Sequence, residues 1–297
     1  MSNKQIYLSE AKGDVTISLM VMKPLYKEGN KQVYLLCDKS GGIKGRISNK
    51  SKLNIGQVIE IDYSNENIID ISSYKTIEEF NIDDYLPSVK IPIEEIMNEI
   101  ENITQECILS IEAKKLNDYF FKNQTFLECF KKGIGGVSMH HNYIGGLAEH
   151  TLNVMKLTKF LCEQYDCDRK EMAVLCAKLH DIGKIHELDY SGPFKYTLEG
   201  ELEGHIVIGV QMIDRAMNDL DYPFSEEFIR RVKGCIVQHH GKLEYGSPRA
   251  TNMEESFILN YADTVDATMN KISQIKESNT SKVWSEYDRR IETKLYL

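Results

Sequence analysis

The chain has 297 residues, 42% hydrophobic and 27% charged, with 6 Pro and no apolar run near the ~18 residues a bilayer-spanning helix needs, so it is read as a soluble, non-membrane protein. Its length exceeds the ~100 to 200 residues usual for one domain, which favours two. A formal net charge of −9 excludes a protein that holds nucleic acid by bulk positive charge alone. The charge is uneven, however: residues 1–60 hold 10 Lys or Arg against 5 Asp or Glu, leaving −14 for the other 237 residues. The stretch Met1 to Tyr7 lacks the basic and apolar pattern of a secretory leader, so a cytoplasmic protein is expected. Seven cysteines at 37, 107, 129, 162, 167, 176 and 235, without a CxxC pair, read as reduced and mostly buried thiols.

The first 75 residues alternate in short runs with turn residues between them. Val15 to Val21, Gln32 to Cys37, Ile43 to Ile47, Gln57 to Tyr63 and Ile68 to Ile71 predict five strands, separated by signals such as Gly29-Asn30 and Ser40-Gly41-Gly42. Five such strands suit a small all-β OB-like barrel over residues 1–80; an SH3-like barrel is the alternative. Residues 81–92 lose the alternation and read as a linker, and Pro92-Ile-Glu-Glu95 starts a helix. From 93 to 297 the period is helical, which predicts an all-α domain. Leu147, Val154, Leu157 and Leu161 share one face; Ile206, Val210, Ile213, Met217 and Leu220 a second; Ile258, Tyr261, Val265 and Met269 a third. Residues 272–297, with Trp284, Tyr287 and Tyr296, fit either a packing arm or a contact with a second copy, and a homo-oligomer stays open.

All eight histidines lie between 140 and 240. His180-Asp181 ends a helix carrying Met172, Leu175, Cys176 and Leu179, with Gly183 read as its stop. His205 opens a helix beginning at Gly204, and His239-His240 closes one carrying Ile229, Val232 and Ile236. Imidazoles at helix ends can converge in a bundle, and imidazole with carboxylate suits Mn, Fe, Co, Ni or Zn. Asp263, mid-helix among apolar neighbours, wants a cation. His186 reads as a loop residue and Asp266 as a solvated or capping one. His140 and His141 stand between loop structure and a substrate-phosphate contact.

His150, His180-Asp181 and Asp263 match the pattern of the HD phosphohydrolase superfamily. The longer strings His140-His-Asn-Tyr-Ile-Gly-Gly-Leu-Ala-Glu-His-Thr151, His180-Asp-Ile-Gly-Lys184, Glu199-Gly-Glu-Leu-Glu-Gly-His-Ile206 and His239-His-Gly-Lys-Leu-Glu-Tyr-Gly-Ser-Pro248 resemble the YhaM-type 3′→5′ exoribonucleases. This chain departs from that pattern at Arg249-Ala250, at Asn260 where histidine is frequent, and at Arg46-Ile47 in the barrel. The resemblance implies an OB-fold followed by an HD domain that hydrolyses phosphodiester bonds of single-stranded RNA, and of single-stranded DNA as an open possibility, to nucleoside monophosphates. It also implies two divalent metal ions, Mn foremost with Co, Fe, Ni or Zn as alternatives. One would be held by His150, His180, Asp181 and Asp263, the other by the shared Asp181 with His205, His239 and His240. Two such ions activate water and neutralise phosphate charge, so no protein nucleophile is needed. Lys184 is assigned with Asp181 to catalysis, neutralising a phosphate oxygen; Lys242 and Arg249 are candidate contacts to the next phosphate. In the basic barrel, Tyr26, Lys27, Tyr34, Lys44 and Arg46 are the expected strand contacts, cations tracking the backbone and rings stacking on bases. Two other functions compete: hydrolysis of small or cyclic nucleotides, and nucleic-acid binding by a degenerate HD domain.

Overall fold

The structure is a computed structural model that describes residues 6–48, 52–64, 66–137, 141–278 and 283–297. It divides into two compact units, Met1–Ser88 with Asp189–Lys195, and Val89–Leu188 with Tyr196–Leu297.

The first unit is built on β1 (Val15–Glu28), β2 (Lys31–Asp38), β3 (Gly41–Ser48), β4 (Val58–Tyr63), β5 (Ile68–Ile71) and β6 (Lys75–Ile77). These form one sheet in the order β5-β3-β2-β1-β4-β6, with β3 and β5 parallel and the other pairs antiparallel. Alternation puts Ile17, Leu19 and Val21 of β1 on the same core as Tyr34, Leu36 and Ile59. The register of β1 against β2 shifts between Val21 and Lys23 and again between Pro24 and Tyr26. Pro24, which has no N–H to give the ladder, is tolerated at such an irregularity. The expectation of a five-stranded barrel is corrected on two points: six strands pair, and β5 and β6 stand as the ends of the sheet order. β6 spans three residues, too few to leave a period in the sequence.

The second unit carries α1 (Ile93–Cys107), α2 (Ile111–Phe121), α3 (Gln124–Lys132), α4 (Gly146–Gln164), α5 (Lys170–Leu179), α6 (Lys184–Glu187), α7 (Leu198–Asp219), α8 (Glu226–Gln238) and α9 (Glu254–Ser278); between α6 and α7 the chain forms the short pair β7 (Leu188–Asp189) and β8 (Lys195–Tyr196), of which Asp189 and Lys195 belong to the first unit. The β7–β8 pair corrects the all-α expectation. Asp189 Oδ1 accepts bonds from the Ser191 N–H and hydroxyl in the turn between the two strands, a local Asx geometry that apolar periodicity does not register. Helix starts follow the expected chemistry: the side chains of Ser110, Asn123, Thr197 and Ser225 each accept a bond from a backbone N–H of the first turn.

The predicted faces of α4 and α7 are largely buried, but the α9 stripe is aimed outward. Tyr261, Val265 and Met269 are 59%, 47% and 56% exposed, while the inner face of α9 carries Leu259, Ala262 and Asp266. The inner face mixes apolar residues with carboxylates, so apolar periodicity alone selected the wrong side. All seven cysteines are free and six are buried. Among the described residues no helix is long and apolar enough to cross a membrane.

Candidate metal centre

Five helices deliver the histidines and carboxylates singled out above. His150 lies in the second turn of α4, and His180 and Asp181 follow the last residue of α5. α7 is broken at Gly204, whose φ of 73° and ψ of 156° no helix adopts, so His205 begins a second helical segment. His239 and His240 follow α8, and Asp263 lies inside α9.

His150 Nε2 lies 3.2 Å from His180 Nε2, 3.4 Å from Asp181 Oδ2 and 3.2 Å from Asp263 Oδ1; His180 Nε2 lies 3.3 Å from the same Asp181 oxygen. A cation bound at about 2.0 to 2.2 Å by N and O ligands spaces them by about 3.4 Å in a tetrahedral arrangement. The other Asp181 oxygen, Oδ1, faces His205 Nε2 at 3.5 Å and His239 Nε2 at 3.8 Å. His205, His239 and His240 offer ring nitrogens that lie within 4.8 Å of one another. Asp181 thus directs one oxygen to each of two groups.

Among the described residues, Asp181 Oδ1, His205 Nε2 and His239 Nε2 are buried without a hydrogen-bond partner. Leaving buried polar atoms unpaired costs about 1–3 kcal/mol each, and three converging on one point fit a cation. The ring tautomers agree. His180 Nδ1 donates to Ala177 O (2.9 Å), His239 Nδ1 to Ile236 O (2.7 Å) and His240 Nδ1 to Tyr245 O (2.9 Å). His150 Nδ1 is 2.6 Å from Asp266 Oδ2, and His205 Nδ1 is 3.0 Å from Glu187 Oε1. With each Nδ1 occupied, the Nε2 lone pair is the one aimed at the site.

Electrostatics favour the ligating forms at most positions. Burial, then the neighbouring His240 and His180, pushes His239 well below the usual imidazole range, and burial with His205 lowers His240. Burial opposes charge on Asp181, but Lys184 and His180 outweigh it and hold the carboxyl well below its ordinary value. Asp263 is lowered likewise, His150 outweighing burial. His150 moves the other way, because Asp181, Asp263 and Asp266 outweigh its burial. Proton and cation therefore compete for its Nε2.

Other expected residues are placed differently. Lys184 is buried, 2.6 Å from Asp181 Oδ2 and donating to Gly135 O at 2.7 Å, so its ammonium is committed to protein partners. Asp266 is not solvated: its Oδ2 meets His150 and His141, and its Oδ1 accepts from Asn153 Nδ2 at 2.8 Å. His141 is 1% exposed, too buried for a substrate contact. His140 lies outside the described residues. Lys242 and Arg249 are exposed on the loop after α8, with Lys242 Nζ 5.7 Å from the Tyr245 ring centroid, and His186 is exposed in α6. Asn260 donates to His239 O at 2.8 Å and so supports a site residue from the position where histidine was expected.

In the first unit, Tyr34 is 5% exposed within the core, which removes it as a stacking platform. Arg46 bonds Asp70 through Nε (2.7 Å) and Nη2 (2.6 Å) and Glu28 through Nη1 (3.1 Å), so its charge is already matched. Tyr26, Lys27 and Lys44 are exposed, Lys44 Nζ lying 5.9 Å from the Tyr26 ring centroid.

Glu187 escaped the sequence reading. Its Oε1 accepts from both the backbone N–H and the ring of His205, each at 3.0 Å, across 18 residues that share no motif. Loss of a carboxylate behind a metal-bound imidazole costs about 10–100-fold in affinity. Glu187→Gln is expected to weaken cation binding to that extent at the His205 group and leave the His150 group unchanged, as read by calorimetric titration with Mn²⁺. Equal weakening at both groups would contradict the separation.

Comparison with known proteins agrees with this geometry. A sequence profile described as HD domain matches residues 147–268. The chain is similar to the protein named 3'-5' exoribonuclease YhaM of Bacillus subtilis (strain 168), 33% identical over 202 residues, which cover 67% of this chain and 62% of that protein. Its namesake in Bacillus velezensis is 32% identical over 194 residues (65% of this chain, 60% of the relative), and that of Bacillus licheniformis 32% over 202 (67% and 62%). The matched part spans about three-fifths of these relatives' length. No solved structure matches significantly.

Proposed function

With the HD match over residues 147–268 as premise, we propose that this chain is a metal-dependent phosphodiesterase that shortens single-stranded RNA from its 3′ end. The observation that carries the reading is Asp181, one carboxylate with an oxygen towards each of two histidine groups. His150, His180, Asp181 and Asp263 would hold one divalent cation; Asp181, His205, His239 and His240 a second. When bound, such cations supply an activated water and neutralise charge on the phosphate. The protein's own part is placement. Bonds at Nδ1 hold the rings, Lys184 holds Asp181, and burial keeps competing water from the carboxylates. The donor set lacks thiolate and suits Mn, Co, Fe, Ni or Zn, and Mn is our first assignment. Polarity and the RNA substrate rest on the similarity to the YhaM exoribonucleases.

The sheet of the first unit is read as an OB-type module. The parallel pairing of β3 with β5 and the antiparallel pairing of β1 with both β2 and β4 support that reading. Exposed Tyr26, Lys27 and Lys44 would contact the strand, a ring for a base and two cations for phosphates.

A 5′-labelled single-stranded RNA incubated with Mn²⁺ is expected to give a ladder shortening from the 3′ end, abolished by chelator. Replacing Tyr26, Lys27 and Lys44 together by Ala should raise KM for RNA about 10-fold or more, since stacking alone is worth about 1–3 kcal/mol per base. Hydrolysis of a small chromogenic phosphodiester should stay unchanged. Intact RNA beside hydrolysed cyclic or small nucleotides would replace this reading with a small-substrate hydrolase, and binding without cleavage with a non-catalytic one.

A further inference from the structure

We propose that the hairpin of residues 284–296 is a positioning element of the His150 cation group, acting through Arg290, Gln274, Asn270 and His141; this rests on the metal reading above. The hairpin is a built unit. Ser285 N donates to Leu295 O at 2.8 Å, Leu297 N donates to Val283 O at 3.0 Å, and the Trp284 and Tyr296 rings meet edge to face at 5.1 Å. Asp288 takes Arg290 Nη2 at 2.8 Å and Nε at 3.0 Å, which orients the guanidinium and leaves Nη1 to donate to Gln274 Oε1 on α9 at 2.7 Å.

From Gln274 the bonds run to the site. Gln274 Nε2 donates to Asn270 Oδ1 (2.9 Å) and to Asn142 Oδ1 (3.1 Å). The same Asn270 oxygen accepts the backbone N–H of His141 (2.9 Å), and Asn270 Nδ2 donates to the Tyr143 hydroxyl (3.0 Å). His141 Nε2 then meets Asp266 Oδ2 at 2.7 Å, the oxygen that holds His150 Nδ1.

His141 needs such support. Its φ of 46° lies in the left-handed region, which costs a non-glycine residue roughly 1 kcal/mol, and a buried ring leaves it no solvent to relax into. Asn142 and Asn270 secure the loop from one side, and Gly135 N, bonded to His141 O at 2.9 Å, from the other. Freeing Gln274 from Arg290 loosens Asn270 and Asn142, then the His141 backbone, then the carboxylate behind His150.

The test is Mn²⁺ calorimetry on the full chain, with the His205 step identified by Glu187→Gln and folding checked by unfolding temperature in chelator. Arg290→Met is expected to weaken the His150 step about 3–10-fold and leave the His205 step in place, a split that general destabilisation does not produce. His141→Ala should weaken the same step by about 10-fold or more. His141→Gln, whose amide can still donate to Asp266, should recover most of that loss. Tyr287→Ala, an exposed hairpin residue outside the chain of bonds, should match the wild type. Gln274→Ala cuts the same link from the helix side and serves if Arg290→Met does not fold. Wild-type affinity at the His150 step in Arg290→Met or Gln274→Ala overturns the proposal. A wild-type chain that takes up no divalent cation overturns the metal reading itself, and the positioning role with it.

Discussion

Under the function proposed above, Asp181→Ala is expected to lower Mn²⁺-dependent RNA hydrolysis by at least about 10³-fold, equivalent to about 4 kcal/mol of transition-state stabilisation. The reason is geometric: among the described residues Asp181 alone presents oxygens to both histidine groups, so its loss subtracts a ligand from each. Stability should move less than activity. Removing one partner of a buried pair costs about 3–5 kcal/mol, and among the described residues Lys184 would keep the bond to Gly135 O alone. Against that, the substitution deletes Asp181 Oδ1, a buried atom without a partner, a relief of about 1–3 kcal/mol. The net loss in chelator is therefore about 0–4 kcal/mol, less than most chains of this size have in hand. Mn²⁺ at 100 times its dissociation constant should stabilise the wild type by about 2.7 kcal/mol and the variant hardly at all. Asp181→Asn separates charge from shape, and it should behave like the alanine variant in activity. Near-wild-type turnover in either variant would remove Asp181 from the reaction.

The candidate ligands were legible because their signal is local. His180-Asp181 and His239-His240 stand directly after apolar helical runs, and a carboxylate mid-helix at Asp263 is conspicuous against its neighbours. What holds those ligands was not legible, since Glu187 reaches His205 across 18 residues and Asp266 reaches His141 across 125. Distance in sequence explains only part of this. On α9 the apolar period Ile258, Tyr261, Val265, Met269 pointed to a core face, and the chain instead turns Asp263 and Asp266 inward and leaves three of those apolar residues largely exposed. There the pairing of Asp263 with His150 and of Asp266 with His141, rather than the hydrophobic pattern, decides which side faces inward. In the first unit the basic and aromatic composition of β1 to β3 was read correctly as composition. Pairing then divided it, Arg46 being neutralised by Asp70 and Glu28 and Tyr34 lying on the buried side, facts that depend on strand register.

Gly183 shows the same limit and yields the sharpest structural prediction. As a helix stop it should adopt the left-handed conformation, and Gly183→Ala would then be strained by its φ. The observed φ is −62°, which alanine adopts freely, so backbone propensity alone predicts a gain of about 0.4–1 kcal/mol. Packing predicts the reverse. A Cβ at this position would sit 2.1 Å from His205 O and 2.8 Å from Gly209 N, both backbone atoms of α7 that cannot swing aside like a side-chain tip. α7 must move away, at a cost typical of overpacking, about 1–3 kcal/mol or more. For a unit of this size that corresponds to a fall of about 2–4 °C in Tm per kcal/mol. The displaced residue is His205 itself, so Mn²⁺ binding at its group should fall together with Tm while the His150 group keeps its ligands. A Gly183→Ala protein with unchanged or higher Tm and both cation steps intact would show that the close approach of α7 does not constrain this position.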